Sequence, residues 1–184
     1  MKKKTKPLIR WTKNVPNRIL KEMISEKLYA SYKRPSFKDI LAEQLCVISK
    51  KSTCLFYSIG AIIFRGDQIL STGYNGPAKG DVHCYEVGCS RIVNSELKEG
   101  AGMCRGSHAE LNAIGNAAKN GINIDTSSMM VSFNPCKACA KQIVNQGIKE
   151  VYYIFKYHTD KDIEKYFRRL GVKITHYKLK NTKK

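Results

Sequence analysis

From residue 128 onward the chain alternates short apolar β-type runs with helical stretches, and this alternation constrains its fold more than any other feature. Residues 128–133, 151–155 and 172–177 read as strands, and about 136–146 and 160–170 read as helices between them. Asn134-Pro135 opens the first of these helices and Gly147 stops it. Strands joined through helices pair in parallel and carry helices on their faces. Upstream, residues 58–64 and 68–73 flank a Gly66-Asp67 turn and form a hairpin, which makes the sheet mixed. Ser36 caps a helix running from Phe37 to about Lys50, with Phe37, Ile40, Leu41, Leu45, Val47 and Ile48 as its apolar face. A further helix, rich in alanine and leucine, runs from His108 to about Asn120 and ends at Gly121. The expected fold class is α/β: a three-layer α/β/α sandwich around a mixed, roughly five-stranded sheet. The stretch 74–107 between hairpin and helix has turn chemistry, and a loop that long needs a function or a tie.

A chain of 184 residues is about one domain, and its charge divides it into three parts. Residues 1–34 carry a net +9 and residues 173–184 a net +5, whereas 35–172 carry only +4 of the total +18. We therefore expect a basic extension over 1–34 with a helix near 17–32, one domain over 35–177, and a basic tail over 178–184. Basic ends can hold RNA or DNA. They lack an RGG run or interleaved aromatics, so a solvating role is the plainer reading. A hydrophobic content of 42% excludes a wholly disordered chain. No apolar run approaches the ~18 residues a bilayer span needs, so no membrane partner is expected. The first residues are basic without an apolar core or cleavage site, unlike a secretory signal. Seven cysteines, an odd count without such a signal, argue against a disulfide scaffold and for thiolates as metal ligands in a cytoplasmic setting.

Two short motifs carry the chemistry: His108-Ala109-Glu110 and Pro135-Cys136-Lys137-Ala138-Cys139. Either alone is weak. Together, they place an imidazole at the start of one helix and two thiols, three residues apart on one helix face, at the start of another. One imidazole and two thiolates form a zinc site with its fourth position open, the catalytic rather than the structural pattern. Helix N-termini favour thiolate over thiol, and zinc brings the pKa of bound water toward neutrality. Glu110 lies two residues past His108, too displaced to share its ligand role but placed to carry protons beside it. Hydrolytic loss of an amino group from an amidine carbon needs such a carrier for each proton transfer. This order of residues is the known pattern of zinc nucleobase deaminases.

The chain resembles the deoxycytidylate (dCMP) deaminase family of the cytidine deaminase-like superfamily, from about Arg34 to Tyr177. The resemblance rests on Arg34-Pro35-Ser36-Phe37, Lys51-Ser52-Thr53-Cys54, Gly60-Ala61-Ile62-Ile63 and Leu70-Ser71-Thr72-Gly73-Tyr74-Asn75-Gly76-Pro77. His83-Cys84, Cys104-Arg105, His108 to Ile114, Pro135 to Lys141 and Gln146-Gly147-Ile148-Lys149 extend it. It implies deamination of dCMP to dUMP for thymidylate synthesis, a homo-oligomer (hexamer or dimer), and regulation by dCTP and dTTP with Mg2+ accompanying the effector. It also implies substrate contacts at Asn75 and at the Ala109 backbone, a 5′-phosphate contact at Lys51 and Ser52, and an effector position at Gly73, Tyr74 and Gly76. One departure stands out: Phe133 occupies the place, two before Pro135, where relatives often carry Thr.

Of the remaining cysteines, Cys46 reads as a buried small hydrophobe on the first helix. Cys54, Cys84, Cys89 and Cys104 flank the long loop, and four thiolates make a closed structural zinc site. His83 could replace one sulfur, and some members of the family carry a second zinc in this region. Three other readings use the same motifs: a deaminase acting on dCTP, one acting on tRNA or single-stranded DNA, and a non-catalytic nucleic-acid-binding protein on the same fold. The retained quartet of His108, Glu110, Cys136 and Cys139 argues against the last.

Overall fold

A computed structural model describes residues 34–98, 104–156 and 162–179. The helix expected near 17–32, most of the basic extension and the end of the tail lie outside these residues. Ser36 caps α1 (Phe37–Ser49) in a reciprocal box with Asp39, whose backbone N–H reaches the serine hydroxyl at 3.2 Å. The Asp39 carboxylate also accepts the Tyr177 hydroxyl at 2.6 Å, which fastens the start of the helix to the far end of the fold.

Five strands form the main sheet: β1 (Gly60–Arg65), β2 (Gln68–Tyr74), β7 (Ser128–Phe133), β8 (Glu150–Phe155) and β9 (Lys173–His176). Their order is β2-β1-β7-β8-β9, antiparallel up to β7 and parallel beyond it. The mixed five-stranded sheet expected from the sequence is thus present. Successive residues of the inner strands point to opposite faces, and both faces are covered. Ile62, Phe64, Met130, Tyr152 and Ile154 pack on Leu41, Ala42 and Leu45 of α1. Ala61, Ile63, Met129, Val131, Val151 and Tyr153 lie under α3 (Ala109–Lys119), α4 (Lys137–Asn145) and α5 (Ile163–Arg169).

Cys46 is exposed, contrary to the sequence reading. Leu41, Ala42 and Leu45 take the inward face of α1, and the next residue along turns away from it. Val47, placed on the apolar face from sequence, is likewise 64% exposed.

The stretch 74–107 is more structured than its turn residues suggest. β3 (Gly76–Pro77) pairs with β6 (Gly106–Ser107) and closes the loop at its base. Between them lie the short helix α2 (Cys84–Val87) and a hairpin of β4 (Ile92–Val93) and β5 (Glu96–Leu97). Asn94 and Ser95 join that hairpin with φ of 52° and 64°, the left-handed pair that a two-residue turn of this twist requires. Asn-Ser is a weak sequence signal for it, because Ser rarely adopts positive φ.

Candidate active site

The site forms at the end of β7, where the sheet changes from antiparallel to parallel, a common place for a ligand crevice. His108 is the N-cap of α3, and Cys136 the N-cap of α4. Cys139 follows in the first turn of α4. The His108 Nδ1 lies 3.5 Å from Cys136 Sγ and 3.2 Å from Cys139 Sγ. All three ligand atoms fall within 4.8 Å of one another, the spacing at which one ion can be shared.

Packing fixes the start of α3. Ala109, Ala113 and Ala117 present a smooth face to the sheet, and Gly73 of β2 meets it. A Cβ on Gly73 would sit 2.3 Å from the Ala109 carbonyl oxygen and from the Ala113 nitrogen. Side chains then fasten helix to strand. Ser71 Oγ donates to Ala113 O at 2.7 Å, Asn112 Nδ2 to Tyr74 O at 2.7 Å and Asn116 Nδ2 to Thr72 O at 2.9 Å.

Charge in the site is tightly coupled. The Cys136 thiol is held well below its ordinary value, first by a hydrogen bond with Cys139 and then by His108, against the cost of burial. Cys139 is pushed up by the same hydrogen bond and by its own burial. Cys136, at the helix N-terminus, therefore carries the thiolate of the pair. The hydrogen bond to Cys136 also raises the His108 imidazole, with Glu110 adding to it and burial opposing. Glu110 is only 5% exposed, and burial pushes its carboxyl up, opposed by its own backbone N–H and by His108.

A cavity opens beside these groups, lined by His108, Glu110 and Cys136 together with Tyr57, Asn75, Arg91, Phe133 and Asn134. Thr53, Cys54, Cys84 and Cys104 lie on the same wall. Asn75 is on the wall as expected, and its amide also holds the approach to β1. Its Oδ1 accepts from Ile59 N at 2.8 Å, and its Nδ2 donates to Tyr57 O at 2.9 Å.

Not every expected site residue lines this cavity. Lys51 is exposed and off the wall. Ser52 is also off the wall, with its hydroxyl donating to Tyr57 O at 3.1 Å. Ala109, expected to act through its backbone, is buried, between His108 and Glu110 of the cavity wall. Of the three expected effector positions, Gly76 lines the cavity and packs against Thr53, Gly73 is buried under α3, and Tyr74 is exposed. Phe133 faces Tyr57 edge-on at 6.0 Å between ring centres, so the departure at this position gives the cavity an aromatic wall. Arg91 and Asn134 are wall residues that sequence reasoning passed over. Arg91 had no motif around it to flag it.

The four loop thiols converge less tightly than the first trio. Burial raises the Cys84 thiol, and Cys54, Cys89 and Cys104 raise it further, while Arg105 lowers it. Among the described residues, only His108, Cys136 and Cys139 bring three ligand atoms within 4.8 Å. Three buried polar atoms without a partner sit next to these cysteines in sequence: Thr53 Oγ1, His83 Nδ1 and Arg105 Nε.

Comparison with known proteins agrees with this geometry. Residues 36–155 match the family model described as the cytidine and deoxycytidylate deaminase zinc-binding region. The chain is 34% identical over 146 residues to ComE operon protein 2 of Bacillus subtilis, covering 79% of this chain and 74% of that one. It is 32% identical over 145 residues to the deoxycytidylate deaminase of Schizosaccharomyces pombe, covering 78% of this chain but only 45% of the yeast protein. The crystal structure of the dCMP deaminase of cyanophage S-TIM5, in complex with dCMP and dUMP, superposes with a TM-score of 0.66 at 27% identity. That match covers 79% of this chain and all of the phage chain. With its His-Cys-Cys trio at the end of β7 and a buried glutamate beside it, the chain belongs to the zinc-dependent cytidine and deoxycytidylate deaminase family.

Proposed function

We propose that the chain catalyses hydrolytic deamination of dCMP to dUMP, supplying dUMP for thymidylate synthesis. The observation that carries this reading is the His108-Cys136-Cys139 trio, whose His108 and Cys136 line one cavity together with the buried Glu110. The donor set fits zinc: one imidazole nitrogen and two sulfurs, one of them already favoured as thiolate. His108, Cys136 and Cys139 would hold the ion, which when bound supplies Lewis acidity and a more acidic water. Glu110 takes a proton from the attacking water and delivers it to the pyrimidine ring nitrogen. It then moves a second proton to the departing amino group, so that water and dCMP become dUMP and ammonia. A carboxyl raised by burial binds and releases protons closer to neutral pH than an exposed one, which suits this work.

A second, structural zinc held by Cys54, Cys84, Cys89 and Cys104 is part of the proposal. Its support is that Cys54, Cys84 and Cys104 line one cavity wall, with the unpartnered His83 Nδ1, a nitrogen able to replace one sulfur, next to Cys84 in the chain. Arg105 offsets the negative charge that four thiolates around one divalent ion leave over.

The test is ammonia release from dCMP, dCTP, deoxycytidine and a cytosine-containing oligonucleotide in parallel, with zinc counted on the same sample. Turnover of dCMP and two zinc ions per chain are expected. Turnover of the oligonucleotide alone, or of nothing, overturns the substrate assignment.

A further inference from the structure

The mechanism above uses the floor of the cavity and leaves its loop side without a role. That side carries one feature of clear chemistry. Arg91 is the sole lysine or arginine among the described residues lining the cavity. It stands half-buried at the foot of the β4–β5 hairpin, and its backbone and side chain are both engaged there. Lys98 N donates to Arg91 O at 2.8 Å, and Arg91 Nε donates to Lys98 O at 2.9 Å. The guanidinium is thereby folded back and oriented by the hairpin. Among the described residues no hydrogen bond engages its two terminal nitrogens, which are the pair that grips an anion in bidentate fashion.

Resting on the dCMP reading of this site, we propose that Arg91 binds the 5′-phosphate of the substrate and so selects nucleoside monophosphates over nucleosides. A phosphate dianion entering this cavity needs a counter-charge, and among the described residues the wall offers no other Lys or Arg side chain. The expected phosphate contacts at Lys51 and Ser52 are not on that wall. The arrangement orders the cavity: a reaction end at His108 and Glu110, an aromatic flank at Tyr57 and Phe133, and a cationic entrance at Arg91. Because the hairpin holds the guanidinium before substrate arrives, less ordering remains to be done on binding.

The experiment compares kcat and KM for dCMP and deoxycytidine in the wild-type protein, Arg91→Gln and Arg91→Lys, with inorganic phosphate as a competing probe and a melting curve for each. We expect Arg91→Gln to lose about 10- to 100-fold in kcat/KM on dCMP, mainly through KM, the range for a lost charge-assisted contact. Deoxycytidine turnover and melting temperature should hold. Arg91→Lys should recover part of the loss, and phosphate should compete with dCMP in the wild type but not in Arg91→Gln. Equal losses on both substrates, or a dCMP kcat/KM within threefold of wild type, overturn the inference. Equal use of dCMP and deoxycytidine by the wild-type protein also overturns it while leaving the deaminase reading intact. A wild-type protein that deaminates neither overturns that reading itself, and the inference with it.

Discussion

Glu110 occupies a position that stability alone would not favour. A carboxyl group buried to this degree costs free energy that His108 and the backbone N–H offset only in part, and a neutral amide of the same shape would cost less. Glu110→Gln should therefore keep the fold and the zinc content while kcat falls by about 10²- to 10⁴-fold, the usual worth of a general acid-base group. Turnover kept near wild type by that variant, measured as ammonia release, would remove the proton-carrying role. Gly73 is the converse case, a residue needed for space. A methyl group there meets two backbone atoms of α3 that cannot step aside. We expect Gly73→Ala to lower stability by about 1–3 kcal/mol or more. An unchanged melting temperature would refute the packing account. His108, Glu110, Cys136 and Cys139 were legible in the sequence because each pair is local, held by spacing of two or three residues at a helix start. Arg91 was not, since its only qualification is what it faces. Cys46 was misread for a related reason: composition says that cysteine is often buried, but helix phase decides which neighbour of Leu45 turns inward.

At the scale of elements, strands and helices were readable where burial on both faces writes long apolar runs. The loop elements were not, because strands of two residues carry no period to detect. One element junction gives a pH-dependent prediction. On β8, Glu150 accepts the Tyr152 hydroxyl at 2.6 Å and the Lys173 ammonium of β9 at 3.3 Å. The Tyr152 bond first, and then Lys173, hold the Glu150 carboxyl below its ordinary value, while burial opposes them. A carboxyl depressed in the folded state contributes stability above its unfolded pKa of about 4.3, and loses it as pH falls through the folded value. Solvent reaches this pair, so the contribution at neutral pH is about 0.5–1 kcal/mol after screening. Thermal melts of wild type and Glu150→Gln should differ at pH 7 and converge toward pH 3. A gap that stays constant across that range would show that the charge is not involved.

Over the whole molecule, the long loop is the part whose order depends most on something beyond apolar packing. It exposes Val82, Tyr85, Val87, Ile92 and Leu97 and buries little of its own. The proposed structural zinc would take the place of a core for this stretch, and removing a ligand should show it. Cys54→Ser is expected to lower the zinc count from two per chain to one, and to lower the melting temperature while the ion at His108, Cys136 and Cys139 remains. An unchanged count would dispose of the second site. No helix among the described residues is long and apolar enough to cross a membrane, and the strongly basic ends fall largely outside those residues.

By itself the sequence determined the α/β class, the mixed sheet and the His-Cys-Cys trio able to hold a metal, because each is encoded by short-range regularities: apolar period, caps and motif spacing. Tertiary structure alone decided what shares the cavity with that trio. Gly73 proved to be a packing requirement, Asn75 a fastener of the 57–59 segment as well as a wall residue, and Phe133 an aromatic flank. Lys51 and Ser52 moved off the wall and Arg91 onto it. The physical reason is distance along the chain. The cavity joins residues from 53 to 136 through strand pairing and loop closure, and no local pattern records which side chains such closure will bring face to face.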